Sequence, residues 1–272
     1  MTPLLPVWLS DRVTPDLDRA VHYTLLWGLE GVVLRTVGGA EDRVPFVNER
    51  KVQRRLAEHE LDCVAADPGV FEGDVADRLV WMNERAELAE TFAFCKRIGC
   101  RTVITGALSE SSLDAAAAGA ALRSAGEAAA KAGVVLAVRN DVGSACASGE
   151  ALAAVLAAAD HPNVRAAWSP ADALEAGHDP DEGLAALAGR VALVFVRDGR
   201  ADGDGWAKAV PGEGGVGWDE QLGGLLASGY DGPLCLLVSE YPRAQAGARE
   251  AHAMIRLARM AKRAAREGQR SG

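Results

Sequence analysis

At 272 residues and a formal net charge of −9, the chain suits one large domain or two small ones and carries the wrong field for gripping a phosphate backbone. Apolar residues make up 49% and aromatics only 5%, so aliphatic side chains and alanine must fill the core. Five cysteines (Cys63, Cys95, Cys100, Cys146 and Cys235) form no CxxC pair and read as reduced and buried. The first residues turn charged too soon for a secretory segment, and apolar runs stop short of the ~20 residues that span a bilayer. The expectation is a cytoplasmic protein that binds neither nucleic acid nor membrane.

In chain order, short β-branched runs alternate with longer amphipathic, alanine-rich stretches, the pattern of βα units around a parallel sheet. Strands are predicted at 4–9, 31–37, 62–66, 102–107, 134–139, 164–169, 191–196 and 234–238. Helices are predicted near 15–29, 48–60, 75–98, 113–132, 148–159, 181–188, 219–228 and 244–267. Thr14-Pro15 reads as a cap followed by proline at the first helical position, and Ser148 as a second cap. The fourth helix could pass for low complexity, but Arg123, Glu127 and Lys131 share one face, as on an outer amphipathic helix. Residues 199–217, rich in glycine and charge, form a loop after the seventh strand. The basic end at 256–272 reads as a solvated helix terminus, with contact to an acidic partner as the alternative. Eight strands, each followed by a helix, make the expected fold a single-domain (β/α)8 barrel over 1–272.

Several segments occur in register along this frame: WGLEGVVLRTV (27–37), GVVLAVRND (133–141), WSPAD (168–172), VFVRDGR (194–200), PGEGGVGWDEQL (211–222) and GYDGPLCLL (229–237). They resemble the xylose-isomerase-like TIM barrel superfamily, which includes sugar phosphate isomerases and epimerases as well as endonuclease IV. The resemblance implies a divalent ion (Mn, Mg, Co or Zn) at the barrel mouth, held by carboxylates and histidines that also serve as acid and base.

Aligned on that pattern, the ligand positions of this chain read otherwise. The strand-five glutamate is Arg139, the strand-six aspartate is Ser169, and the histidine three residues later is Asp172. The strand-seven histidine is Phe195, the strand-eight glutamate is Leu237, and the strand-two glutamate is Val33. Glu240 has the wrong parity relative to Leu237 to replace that ligand. Among the histidines, His22, His59, His161 and His252 fall on helices or at strand starts; His178 alone follows a strand on the functional side. The expectation is therefore no metal cofactor, and an endonuclease with a trinuclear zinc set and a basic groove is rejected.

The residues suggest a replacement for the ion. The guanidinium of Arg139 would occupy the volume of the cation, held by Asp172 and Asp141, with Arg35 and Arg197 adding positive charge for an anionic or sugar-like ligand. An inert salt bridge is the plainer alternative. Trp8 and Trp168 are candidates for stacking on a sugar face, with core packing as the alternative. Asp198, Asp67 and Glu213 are candidate acid/base residues, against a structural carboxylate, an Asp-Pro turn and a solvated loop respectively. Two functions remain open: a degenerate barrel that binds a small molecule or a partner subunit, self-association included, or an isomerase, epimerase or lyase working by metal-free acid/base chemistry.

Overall fold

A computed structural model describes residues 4–38, 42–72, 78–106, 115–187, 189–203, 205–239 and 242–271. Its strands are β1 (Leu5–Leu9), β2 (Gly31–Leu34), β3 (Asp62–Ala66), β4 (Thr102–Thr105), β5 (Val135–Arg139), β6 (Val164–Trp168) and β7 (Val191–Val196), then β8 (Asp198–Asp202), β9 (Gly205–Ala209) and β10 (Pro233–Leu236). The helices are α1 (Leu17–Leu26), α2 (Glu49–Ala57), α3 (Arg78–Ile98), α4 (Ala115–Ala132), α5 (Gly149–Ala159), α6 (Pro170–Glu175), α7 (Pro180–Ala186), α8 (Trp218–Ala227) and α9 (Arg243–Ser271). Eight strands close into a parallel barrel in the order β1, β10, β7, β6, β5, β4, β3, β2.

Alternation along each strand separates two apolar layers. Val7, Leu9, Val33, Ala65, Ile104, Ala137, Ala167, Leu193, Phe195, Cys235 and Leu237 pack together inside the barrel. The intervening residues, including Trp8, Val32, Leu136, Trp168 and Val194, pack outward against the helices. Trp8 and Trp168 are therefore core residues on the helical side, which corrects their candidacy as ligand platforms. The indole N–H of Trp8 donates to Thr24 Oγ1 at 2.8 Å, and that of Trp168 to Gln221 Oε1 at 3.0 Å. Both buried polar handles are thereby satisfied.

Local chemistry explains the helix starts. Asn48, Ser148, Ser169 and Asp179 each accept a backbone N–H from the first turn of the helix they cap, and proline stands at the start of α6 and α7. The predicted first cap moves: Asp16, not Thr14, caps α1 by accepting from Arg19 N, while Thr14 Oγ1 accepts from Asp16 N. Arg123, Glu127 and Lys131 lie exposed on α4, as an outer helix requires. Helices α5 and α7 meet at Gly149 and Gly183, where a Cβ on Gly149 would stand 2.3 Å from the Gly183 backbone; only glycine permits that approach.

Two elements depart from the predicted frame. The short helix α6 follows β6 directly, and the expected loop after β7 carries an antiparallel hairpin of β8 and β9. All five cysteines are free and buried. Among the described residues, no helix is long and apolar enough to cross a membrane. The first three residues of the predicted helix at 75–98, the first two of that at 113–132, Ala107 and Glu240 lie outside the described residues.

Candidate functional site

The C-terminal ends of the barrel strands define the face on which such barrels carry their chemistry. Inward parity continues past the last paired residues, so Arg35, Asp67, Arg139, Ser169 and Arg197 crown this end. Three arginines enter the mouth from β2, β5 and β7, and each is met by carboxylates.

Arg35 donates through Nη2 to Asp67 Oδ2 at 2.6 Å, and its Nε lies 3.9 Å from Asp11 Oδ2. Burial disfavours this cation, but Asp67 and Asp11 more than offset it and hold its pKa above the ordinary value. Asp67 also accepts the backbone N–H of Gly69 at 3.1 Å, so the Asp-Pro turn and the ion pair both draw on it.

Arg139 donates to Asp141 at 2.6 Å and lies 3.7 Å from Glu72. Burial raises the Asp141 pKa, an effect that the neighbouring Arg139 opposes. The Arg139 guanidinium carbon stands 5.9 Å from the centroid of the Phe195 ring. Phe195 thus forms an apolar and π-rich floor under the cation, a combination worth about 0.5–2 kcal/mol depending on desolvation.

Asp172 is not a partner of Arg139, contrary to the expectation. It is bound by Arg197, whose Nε donates at 2.8 Å and whose Nη2 also contacts it. Arg197 Nη2 reaches Glu175 Oε2 as well, at 2.5 Å. The reason lies in α6: Ser169 caps that helix by accepting from Asp172 N, and the helix carries Asp172 and Glu175 to the β7 side of the mouth. Arg197 further stacks its guanidinium 5.8 Å from the Trp206 ring centroid, tying the β8–β9 hairpin to the mouth.

Asp198 is buried and fully engaged. Its carboxylate accepts four backbone N–H groups, from Gly199 and Gly212 at 2.8 Å, Gly214 at 3.2 Å and Val216 at 3.3 Å. It latches the Gly-Glu-Gly loop to the end of β7, and a Cβ on Gly214 would stand 2.1 Å from its Oδ1. An acid/base role would need a lone pair that this geometry does not leave. Glu213 is exposed on the same loop, and His178 is exposed beyond α6.

Sequence reasoning missed four residues at this end. Asp11 and Arg12 form a one-turn 3-10 segment directly after β1, and Asp11 Oδ1 and Arg12 Nε are buried without a hydrogen-bond partner. Burial raises the pKa of Asp11, against the lowering pull of Arg35. Charged residues immediately after an apolar strand were the available signal. Glu72 and Glu250 arrive from loop and helix positions where nothing local marked them.

Glu250 is fully buried on α9, facing the backbone N–H of Ser239 beyond β10. Burial pushes its carboxyl up to about 7, against lowering by the Ser239 amide and by Arg249, Lys208 and Arg12. Its folded pKa exceeds the unfolded value of 4.5, so between those limits the native state binds more protons and stability falls as pH rises. Glu250→Gln is expected to flatten that slope and raise the unfolding free energy at pH 8 by about 1–3 kcal/mol. Urea titrations at pH 5 and pH 8 measure it, and an unaltered pH dependence would contradict the assignment.

At these positions the donor chemistry differs from a carboxylate and histidine set. The positions that the resemblance assigns to metal ligands hold a guanidinium, a helix-capping hydroxyl, an arginine-bound carboxylate and three apolar side chains, Val33, Phe195 and Leu237. Among the described residues, no three His, Cys, Asp or Glu side chains converge as a ligand set. Two of the larger cavities lie elsewhere, one of about 570 Å³ between α8 and α9 and one of about 460 Å³ at the opposite barrel end. Neither gathers the buried polar atoms left unpaired at the mouth, which therefore remains the stronger candidate.

A family model described as xylose isomerase-like TIM barrel matches residues 23–258. No curated protein matches the sequence. Among solved structures, an L-ribulose 3-epimerase is similar at 18% identity, with a TM-score of 0.78 over 98% of this chain and 97% of that one. D-psicose 3-epimerase from Clostridium cellulolyticum H10, solved with D-tagatose, is similar at 11% identity and a TM-score of 0.76, over 96% and 99% of the two chains. A xylose isomerase-like TIM barrel protein from Mycobacterium smegmatis, in complex with magnesium, is similar at 13% identity with the same TM-score, over 96% and 98% of the two chains. At these identities the likeness is one of fold.

Proposed function

We propose, for a chain that belongs to the xylose isomerase-like TIM barrel family, that the barrel mouth binds a small anionic or sugar-like molecule through fixed guanidinium groups, with no resident divalent ion. The observation that carries this reading is the paired replacement of Arg139 and Phe195. A cation stands at the end of β5, and the residue beneath it on β7 is the aromatic ring that supports it. Together they form a built cationic site.

Arginine keeps its charge at any accessible pH and offers planar paired donors to an oxyanion, but it cannot act as a strong Lewis acid or generate a metal-bound hydroxide. The site is therefore suited to binding and electrostatic neutralisation. The isomerase and epimerase chemistry of the family is not carried over on these residues, and a pseudoenzyme is the favoured form. The second reading, metal-free acid/base catalysis, is favoured by one group, Asp11, whose unpartnered Oδ1 and raised pKa suit a base at the mouth.

The test is metal content together with thermal unfolding. Purified protein is expected to hold far less than one transition-metal atom per chain. It is expected to show no saturable shift with Mn, Co, Zn or Mg, whereas a bound ion at 100 times its Kd would add about 2.7 kcal/mol. A stoichiometric, tightly held metal would refute the reading. Turnover of a ketose or aldose by metal-stripped protein, abolished by Asp11→Asn, would replace it with the acid/base alternative.

A further inference from the structure

Every other arginine that enters the mouth from a strand end is held by a carboxylate; Arg12 is not. Its guanidinium makes no hydrogen bond or ion pair among the described residues, and its Nε is fully shielded from solvent. The residue is half-buried, and its backbone carbonyl accepts from Arg243 Nη1 at 2.5 Å, which anchors the 3-10 segment that presents it. Arg243, Arg35 and Arg197 lie near it as like charges, Asp11 and Glu250 are nearby carboxyl groups, and burial leads the repulsions in lowering its pKa. On the neighbouring strand end, Ser239 Oγ is also buried without a partner.

An unpaired, partly desolvated cation among three others is a cost that folding alone does not explain. A half-buried cation without a hydrogen-bonded partner is destabilising, and perturbed charges of this kind cluster at functional sites. A bound oxyanion resolves the imbalance: it would accept the free donors of Arg12 and screen the repulsion from Arg35, Arg197 and Arg243. Charge-assisted donors of this geometry suit carboxylate and phosphate alike.

We propose that Arg12 is the ligand-facing cation of the mouth and binds the oxyanion, carboxylate or phosphate, of a small polyhydroxylated molecule, with Ser239 as a neighbouring hydroxyl donor. The inference rests on the reading of the mouth as a metal-free anion site, and it names the residue and the ligand chemistry.

The experiment compares wild-type protein with Arg12→Gln and with Arg54→Gln, a change at an exposed position on α2. Gluconate, inorganic phosphate and neutral glucitol are the probes, followed by calorimetric titration and thermal unfolding. Gluconate or phosphate is expected to bind the wild type and Arg54→Gln equally, with glucitol much weaker. Arg12→Gln is expected to weaken the anion about 10- to 100-fold, the range for a charge-assisted contact of about 1.4–3 kcal/mol. Without ligand, Arg12→Gln is expected to melt at or above the wild-type temperature, because no protein partner is lost. A preference for gluconate assigns a carboxylate ligand, and a preference for phosphate assigns a phosphorylated one.

Undiminished anion binding by Arg12→Gln overturns the assignment of Arg12 while leaving the anion site standing. A lower melting temperature without ligand also overturns it, because Arg12 would then be structural. Failure of the wild type to bind either anion overturns both proposals.

Discussion

Asp198→Ala is expected to lower the unfolding free energy by about 3–5 kcal/mol, because it removes the acceptor of four backbone donors, two of them on the buried residues Gly199 and Val216. For a chain of this size that corresponds to a fall in melting temperature of about 6–15 °C. The carboxylate binds Gly199, Gly212, Gly214 and Val216 at once, so the loss falls on one connected unit. Hydrogen exchange locates the effect: the amides of Gly212, Gly214 and Val216 are expected to lose protection before the barrel strands do. Asp198→Asn keeps one acceptor oxygen but turns an amide N–H₂ toward the same donors, and is expected to cost a comparable amount. If Asp198→Ala melted like wild type while losing an activity, the residue would be a catalytic carboxylate and its latching role would be secondary.

Arg197→Met is the second large effect, expected at about 3 kcal/mol or more, because it leaves Asp172 paired with nothing. Side-chain exposures of 13% for Arg197 and 11% for Asp172 place the pair where removing one partner strands a desolvated charge. The same change frees Glu175 and removes the stack on Trp206, loosening the β8–β9 hairpin. A double variant, Arg197→Met with Asp172→Leu, is expected to recover most of the loss, since well-packed apolar groups often replace a buried ion pair at little cost. Urea unfolding of both single variants and the double variant gives the coupling. A coupling energy near zero would mean that the two charges are solvated separately, and Arg197 would then be free to meet a ligand.

Both predictions concern residues first read as site candidates. The structure assigns Asp198 and Arg197 to holding the loop, the hairpin and α6 in place over the mouth. On the proposed reading a ligand would meet Arg12, Asp11 and Arg139, and of these only Arg139 stood out in the sequence.

The order of the barrel strands and the closed parallel sheet were legible in the sequence, because each depends on local or aligned information. Alternation with a period of two marks a strand and assigns its faces, and the six segments in register mark the barrel. Parity along the chain already opposed Trp8 and Trp168 as ligand platforms, since Leu9 and Ala167 beside them face inward. Tertiary structure alone decided which charges meet. Arg139 and Arg197 have long, flexible side chains with several carboxylates in reach, and their partners were selected by α6, which is one and a half turns long and follows a Ser-Pro start. The unpaired state of Arg12 was likewise invisible in the sequence, because being unpaired is a property of every neighbour at once. Barrel closure brings β1 beside β10 and sets Arg12 among cations from distant parts of the chain.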